Sequence, residues 1–153
     1  MFIKIYDNFF TKKECDELIA LHEKWKYLVV PFYNVFPLKI KKIISKKYSN
    51  RINKKAKEIN NSIIDYIEVV LWPTGSYKDL HFDNFKSNTT LSSVCFLNDN
   101  YEGGHLYFKD KSVITPKTGR MIFFDGNYFE HGVSEITQKT IYQLTAFYKN
   151  EKN

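Results

Sequence analysis

Trp72-Pro73-Thr74-Gly75-Ser76-Tyr77-Lys78-Asp79-Leu80-His81-Phe82-Asp83 is the stretch on which the reading of this chain turns. Pro73-Thr74-Gly75 is a turn signal, and the residues after it run as a short extended segment. In such a segment the side chains at i and i+2 point to the same side, so His81 and Asp83 are presented together. A His-x-Asp tripeptide alone carries little weight, because most such tripeptides bind nothing. A second histidine far downstream, in Glu130-His131-Gly132-Val133, completes a set of two imidazoles and one carboxylate. Those three groups can occupy one face of an iron(II) ion and leave the opposite positions open, the ligand pattern of non-haem iron(II) oxygenases. The third ligand must then arrive on a distant strand folded against the first.

Outward from this stretch the hydrophobic period is that of β-structure. Candidate strands are Asp65–Leu71, Tyr77–Phe82, Thr89–Leu97, Gly104–Lys109, Arg120–Phe124, Glu130–Val133 and Thr140–Lys149. Turn residues separate them: Asn98-Asp99-Asn100, Gly103-Gly104, Pro116-Lys117-Thr118-Gly119 and Asp125-Gly126-Asn127. The N-terminal part reads differently. Phe2–Tyr6 alternates as a strand. Thr11, with Glu14 three residues on, forms a capping box for a helix running to Trp25. Apolar residues every three or four positions predict an amphipathic helix from about Ser49 to Ser62, with its lysines on a solvated face. Pro31 and Pro37 bracket the aromatic run Phe32–Phe36, read as irregular or a strand. Helices followed by many short strands give an α+β, mainly β expectation: a double-stranded β-helix (jelly-roll, cupin-like) core with the N-terminal helices packed on one sheet. No repeat or linker divides the chain, so residues 1–153 are expected to form a single domain.

Taken in order, four segments resemble the prolyl-4-hydroxylase-like branch of the iron(II)/2-oxoglutarate dioxygenases. They are Trp72–Asn84; Val94-Cys95-Phe96-Leu97-Asn98 leading through Gly103-Gly104 to Phe108; Ile114-Thr115-Pro116 through Gly119 to Phe124; and Glu130-His131-Gly132-Val133. The opening Ile5–Cys15 is similar to the family's N-terminal strand and capped helix, and the likeness is weakest between about Tyr27 and Ile64. The resemblance implies Fe(II) on His81, Asp83 and His131. It also implies 2-oxoglutarate as cosubstrate, with ascorbate as an accompanying reductant, and hydroxylation of a substrate C–H with release of succinate and CO2. The implied substrate is a peptidyl, prolyl-like group or a small molecule. His105 sits where the family carries an acidic or polar residue and is not expected to be a ligand. His22 has no partner in sequence and reads as structural or exposed.

One departure stands out. The family anchors the far carboxylate of 2-oxoglutarate on a basic residue in the strand after the distal histidine, and that position here is Ile141. A buried carboxylate without a partner is costly. On a regular strand Lys139, Ile141, Gln143 and Thr145 share one face, which makes Lys139 the candidate replacement cation. Thr145 matches a hydroxyl position near the cosubstrate in some relatives, and Tyr77 shares the expected face of His81 as a phenol donor. Phe96 lacks the hydroxyl that some relatives have there. Without a basic residue at Ile141, a metal-binding jelly roll that does not turn over 2-oxoglutarate is the rival expectation.

Composition bounds the rest. The chain has 153 residues, 43% hydrophobic and 17% aromatic, which excludes a disordered protein. The net charge of +6 comes from scattered lysines, with Arg51 and Arg120 the only arginines, so a solvated surface is favoured over a nucleic-acid partner. The arginine-rich ending typical of nucleic-acid dealkylases is missing after His131. No apolar run suits a membrane span or a signal core, and Cys15 and Cys95 lie far apart, so a reduced cytoplasmic protein is expected. Nucleophile elbows, phosphate-binding glycine loops and zinc-type cysteine patterns do not occur. Loops Phe32–Phe36 and Phe85–Thr89 are expected to flank the ligand mouth as lids. Oligomeric state is not legible.

Overall fold

The computed structural model describes residues 2–83 and 86–152. Strand β1 (Ile3–Tyr6) leads into helix α1 (Lys12–Lys24). The expected capping box is present: the Thr11 hydroxyl accepts from the Glu14 N–H at 3.1 Å, and the Glu14 carboxylate accepts from the Thr11 N–H at 3.0 Å. A 3-10 turn (Lys26–Leu28) and edge strand β2 (Phe36–Lys39) follow, then helix α2 (Lys46–Asn60). That helix starts one turn earlier than the apolar spacing predicts, because the Ser45 side chain caps it by accepting from the Lys47 N–H. Asn61, in the left-handed region at φ 57°, ends it.

The rest is β: β3 (Ser62–Trp72), β4 (Lys78–His81), β5 (Thr89–Phe96), β6 (Glu102–Gly103), β7 (Leu106–Phe108), β8 (Val113–Ile114), β9 (Met121–Phe124), β10 (His131–Val133), β11 (Ile136–Gln138) and β12 (Ile141–Asn150). Among the described residues one sheet has the order β1-β9-β5-β12-β3-β2 and a second the order β4-β10-β7-β8, with β11 and β6 paired beside them. All pairings are antiparallel. This is the two-sheet jelly roll with helices on one face that the sequence predicts. Short β6, β8 and β11 escape the periodicity reading, since two or three residues cannot display a period, and four-residue β2 escapes it with Pro37 inside it.

Strand β12 is the axis of the large sheet, hydrogen-bonded to β3 on one side and β5 on the other. Its two faces serve different cores. Leu144, Ala146 and Tyr148 pack with Cys15, Leu18 and Ile52 of the helices. Ile141, on the other face, packs with Val70, Trp72, Val133 and Ile136 between the sheets. Val94, Phe96, Ile122, Phe124, Leu106 and Phe108 fill the neighbouring part of that inter-sheet space. The space between the sheets, called the lumen below, carries the site.

The helices are joined through Glu14 of α1, which pairs with Arg51 and, at 3.6 Å, with Lys47 of α2. Arg51 of α2 donates from both terminal nitrogens to the Glu14 carboxylate at 2.8 Å each, and also to the Phe9 carbonyl at 3.2 Å. Its guanidinium lies over the Phe10 ring at 5.3 Å. The hydrogen bonds from Arg51 outweigh burial and pull the Glu14 carboxyl from 4.5 down to about 2. A depressed carboxyl stabilises the fold above its unfolded value and ceases to do so as pH falls through its folded value. Arg51→Met is expected to lower stability by about 1.5–3 kcal/mol at neutral pH. It should also flatten the loss of stability between pH 4.5 and 2, as read by urea unfolding at each pH.

Candidate active site

Strands β4 and β10 pair so that His81 and His131 stand directly opposite. Their rings lie 4.3 Å apart at 54°. Asp83 follows β4 as irregular backbone, fixed by its N–H donating to the Gly126 carbonyl at 2.8 Å. One carboxylate oxygen, Oδ1, lies 3.4 Å from His81 Nε2 and 3.3 Å from His131 Nε2. The ligand atoms of the three residues all fall within 4.8 Å of one another. His105 is outside this group. His22 is buried, and its Nε2 donates to the Phe36 carbonyl at 2.8 Å, a structural role.

Hydrogen bonds fix what each imidazole offers. His81 Nδ1 lies 2.8 Å from the Asp79 carbonyl, and His131 Nδ1 lies 2.7 Å from the Phe129 carbonyl. A carbonyl only accepts, so each Nδ1 carries the proton and each Nε2 presents a lone pair. Two lone pairs and a carboxylate oxygen therefore face one another without a donor between them. A cation makes that arrangement favourable, and neutral imidazoles oriented through their other nitrogen are how metal-binding histidines are held. Burial works against the charge of Asp83, and positive charge on the side of His131 and His81 holds its carboxyl below the usual carboxylate range; with both imidazoles neutral, that charge is a bound cation's to supply. His131 is further held by the Phe124 ring at 4.7 Å and the Phe108 ring at 6.2 Å. The donor set and its geometry fit iron(II).

A match to the family model described as the 2OG-Fe(II) oxygenase superfamily covers residues 67–149, more than half of the chain and all three candidate ligands. The chain belongs to that superfamily. No curated protein matches it by sequence. Its fold is similar to that of a viral collagen prolyl hydroxylase from Paramecium Bursaria Chlorella virus-1, solved with 2OG. The TM-score is 0.81 at 20% identity over 99% of this chain and 97% of that one. A Pseudomonas putida prolyl-4-hydroxylase gives TM-score 0.80 at 17% identity over 98% and 93%. A Trichoplax adhaerens prolyl hydroxylase, solved with a hypoxia inducible factor peptide, gives 0.80 at 18% identity over 97% and 83%. The protein is thus an iron(II)- and 2-oxoglutarate-dependent oxygenase with a prolyl-hydroxylase-like fold.

The residues expected to bind the oxygenase's cosubstrate fare unevenly. Thr145 lies on the lumen face of β12, half-buried, paired with Glu68 and Val94. Tyr77 does not share the His81 face. It precedes β4, it is 52% exposed, and the β4–β10 register shifts between His131 and Val133, which breaks the period-two relation. Lys139 is not a lumen cation. It occupies the turn between β11 and β12 with φ 62°, exposed, its carbonyl accepting from the Thr74 hydroxyl. The shared face assumed for Lys139 begins only at Ile141, the first residue of β12.

The lids also move. Val35 packs against Val70, Trp72, Val133, Ile136 and Ile141, so Phe32–Phe36 adjoins the inner end of the lumen rather than the metal mouth. The cause is connectivity: the run feeds β2, whose first residue pairs with Leu71 near the end of β3. Of Phe85–Thr89, Phe85 lies outside the described residues. Lys86 and Thr89 close a turn, and Lys86 pairs with Asp65 at 2.9 Å. Sequence reasoning missed Glu68, which shares the lumen face with Thr145 and accepts from the Tyr66 hydroxyl at 2.6 Å. Burial pushes its carboxyl up. A charge set between apolar neighbours, Ile67-Glu68-Val69, was the available signal.

Gly126 guards the third ligand. A Cβ there would stand 2.3 Å from Asp83 Oδ2 and 2.5 Å from the Ser92 hydroxyl. Gly126→Ala is expected to displace the carboxylate and weaken iron(II) binding by roughly 10–100-fold, as outer-shell changes do at metal sites. Metal titration of the variant checks this, with its metal-free unfolding temperature reporting on the fold.

Proposed function

We propose that His81, Asp83 and His131 hold the iron(II) of this oxygenase, and that it hydroxylates a prolyl-like residue in a peptide. The observation that carries the metal assignment is the convergence of two Nε2 lone pairs and one carboxylate oxygen, each imidazole fixed through its Nδ1. When bound, iron(II) would let dioxygen oxidise both partners, one oxygen atom converting 2-oxoglutarate to succinate and CO2 and the other converting the substrate C–H to C–OH. The chain's own share is placement and exclusion of water. Asp83 and His131 are 9% and 5% exposed at the side chain and His81 is 24%, so access to the metal lies on the His81 side. Phe82 and Tyr128, adjacent in sequence to the ligand segments, remain 43% and 54% exposed. Aromatic side chains exposed next to the ligand segments in the sequence are available to an apolar ring such as that of proline. The fold likeness to prolyl hydroxylases, one of them bound to a peptide, supports the same reading.

A nucleic-acid substrate is disfavoured. Both arginines serve internal ion pairs, Arg51 with Glu14 and Arg120 with Asp7 at 2.6 Å. Among the described residues no helix is long and apolar enough to cross a membrane.

The test is incubation with Fe(II), ascorbate, 2-oxoglutarate and proline-containing peptides. Succinate release together with a peptide gaining one oxygen atom on proline is the expected result. Hydroxylation of free small molecules with peptides untouched would remove the peptidyl assignment. His131→Ala should bind iron(II) more weakly than any outer-shell variant, a loss beyond about 100-fold, while its unfolding transition stays cooperative. Undiminished iron binding in a His81→Ala, His131→Ala double variant would show that the metal sits elsewhere.

A further inference from the structure

The inner end of the lumen holds three hydrogen-bond donors with nothing to donate to. Trp72, the last residue of β3, is 7% exposed and its Nε1 has no partner. Gln143 on β12 is 2% exposed and its Nε2 has none, and neither does the buried Tyr101 hydroxyl. They share one neighbourhood. Trp72 pairs with Ile141 and Gln143 pairs with Val70, which makes Trp72 and Gln143 diagonal neighbours on one sheet face. Tyr101 packs against the cluster of Val70, Trp72 and Ile141. The Tyr101 ring and the Ile141 side chain come within 3.1 and 3.2 Å of the point where a Gly104 Cβ would stand.

The composition of this end is specific. An indole N–H only donates, and an amide nitrogen donates twice, so the ligand these atoms call for is an acceptor. A carboxylate is acceptor-only. Phe96 and Ile141 supply apolar wall, and among the described residues no lysine or arginine is buried anywhere. The depth is right for the cosubstrate. Along β5 the lumen runs from Ser92, beside Asp83, to Phe96, beside Gln143. Those four residue steps span about 13 Å. A metal–ligand bond, a five-carbon diacid and the reach of an amide side chain fill that length.

We infer that Gln143, Trp72 and Tyr101 donate to the far carboxylate of 2-oxoglutarate, so that three neutral donors stand in for an ion pair at this site. The inference rests on the metal centre proposed above. It explains how Ile141 is tolerated at the inner end: the negative charge is met by convergent N–H and O–H dipoles rather than by a cation. Lys39 and Lys78, both exposed, interact electrostatically with Glu68.

The experiment is calorimetric titration of Mn(II)-loaded protein with 2-oxoglutarate and, separately, with 2-oxobutyrate. The second acid keeps the metal-chelating end and lacks the far carboxylate. Gln143→Leu, Trp72→Phe and Tyr101→Phe each remove a donor and little volume. Each should weaken 2-oxoglutarate binding on the order of ten- to a hundredfold. Affinity for 2-oxobutyrate and for Mn(II) should stay the same. Unchanged 2-oxoglutarate affinity in all three variants would show that the donors serve buried water and would overturn the inference. Equal weakening of both acids would overturn it in favour of a packing role. A loss carried by Lys78→Met or Lys139→Ala instead would assign the anchor to a surface lysine. Wild-type protein that binds Mn(II) and 2-oxobutyrate but gains nothing from the far carboxylate would overturn the inference and leave the metal centre standing. Failure to bind Mn(II) at all would remove the metal centre itself.

Discussion

The site depends on one cross-strand register, His131 opposite His81 in β10 and β4. Directly opposed residues of an antiparallel pair bring their Cβ atoms within about 4.5–5.5 Å, so two imidazoles in that relation point into the same space. A slip of one residue would turn one of them out of the lumen. The opposite face of β10 prevents the slip. A Cβ on Gly132 would meet the Lys78 carbonyl and the Tyr107 hydroxyl, each at 2.5 Å, so only glycine lets β4 and Tyr107 close over that backbone. The Tyr107 hydroxyl also donates to the Lys78 carbonyl at 3.3 Å. Asp83 then needs no strand of its own. The chain leaves β4, bonds once to Gly126, and delivers a carboxylate between the two rings.

What the sequence disclosed follows from what local patterns encode. His81, Asp83 and His131 were legible because a tripeptide and a short segment, each in a recognisable turn-and-strand setting, state their own direction. The Thr11–Glu14 capping box was legible because it is closed within four residues. Tyr77 and Lys139 went wrong for one shared reason. Period-two alternation holds inside a strand, and both inferences carried it past a strand end. Tyr77 lies before β4 begins, and Lys139 takes a left-handed conformation before β12 begins. The lid at Phe32–Phe36 failed on topology, because no local pattern says which end of β3 an edge strand will meet.

The two faces of the large sheet show where selection for stability gives way. The helix-facing side is closed by apolar side chains and the Arg51–Glu14 pair, and its unpartnered buried atoms, His22 Nδ1 and Asn60 Oδ1, lie on the helices rather than on the sheet. The lumen side carries Gln143, Trp72 and Tyr101 with unpaired buried donors, each costing about 1–3 kcal/mol against a total stability of only about 5–15 kcal/mol for a typical domain. Leucine at 143 or phenylalanine at 101 would keep nearly the same volume without that cost. Unpaired acceptors accumulate at the other end of the same lumen, where Nε2 of both histidines and Oδ1 of Asp83 face each other. Donors at one end and acceptors at the other describe a cavity shaped for a ligand of matching polarity: a cation at the mouth and an anion at depth. A small molecule that chelates the first while presenting a carboxylate to the second satisfies both ends at once.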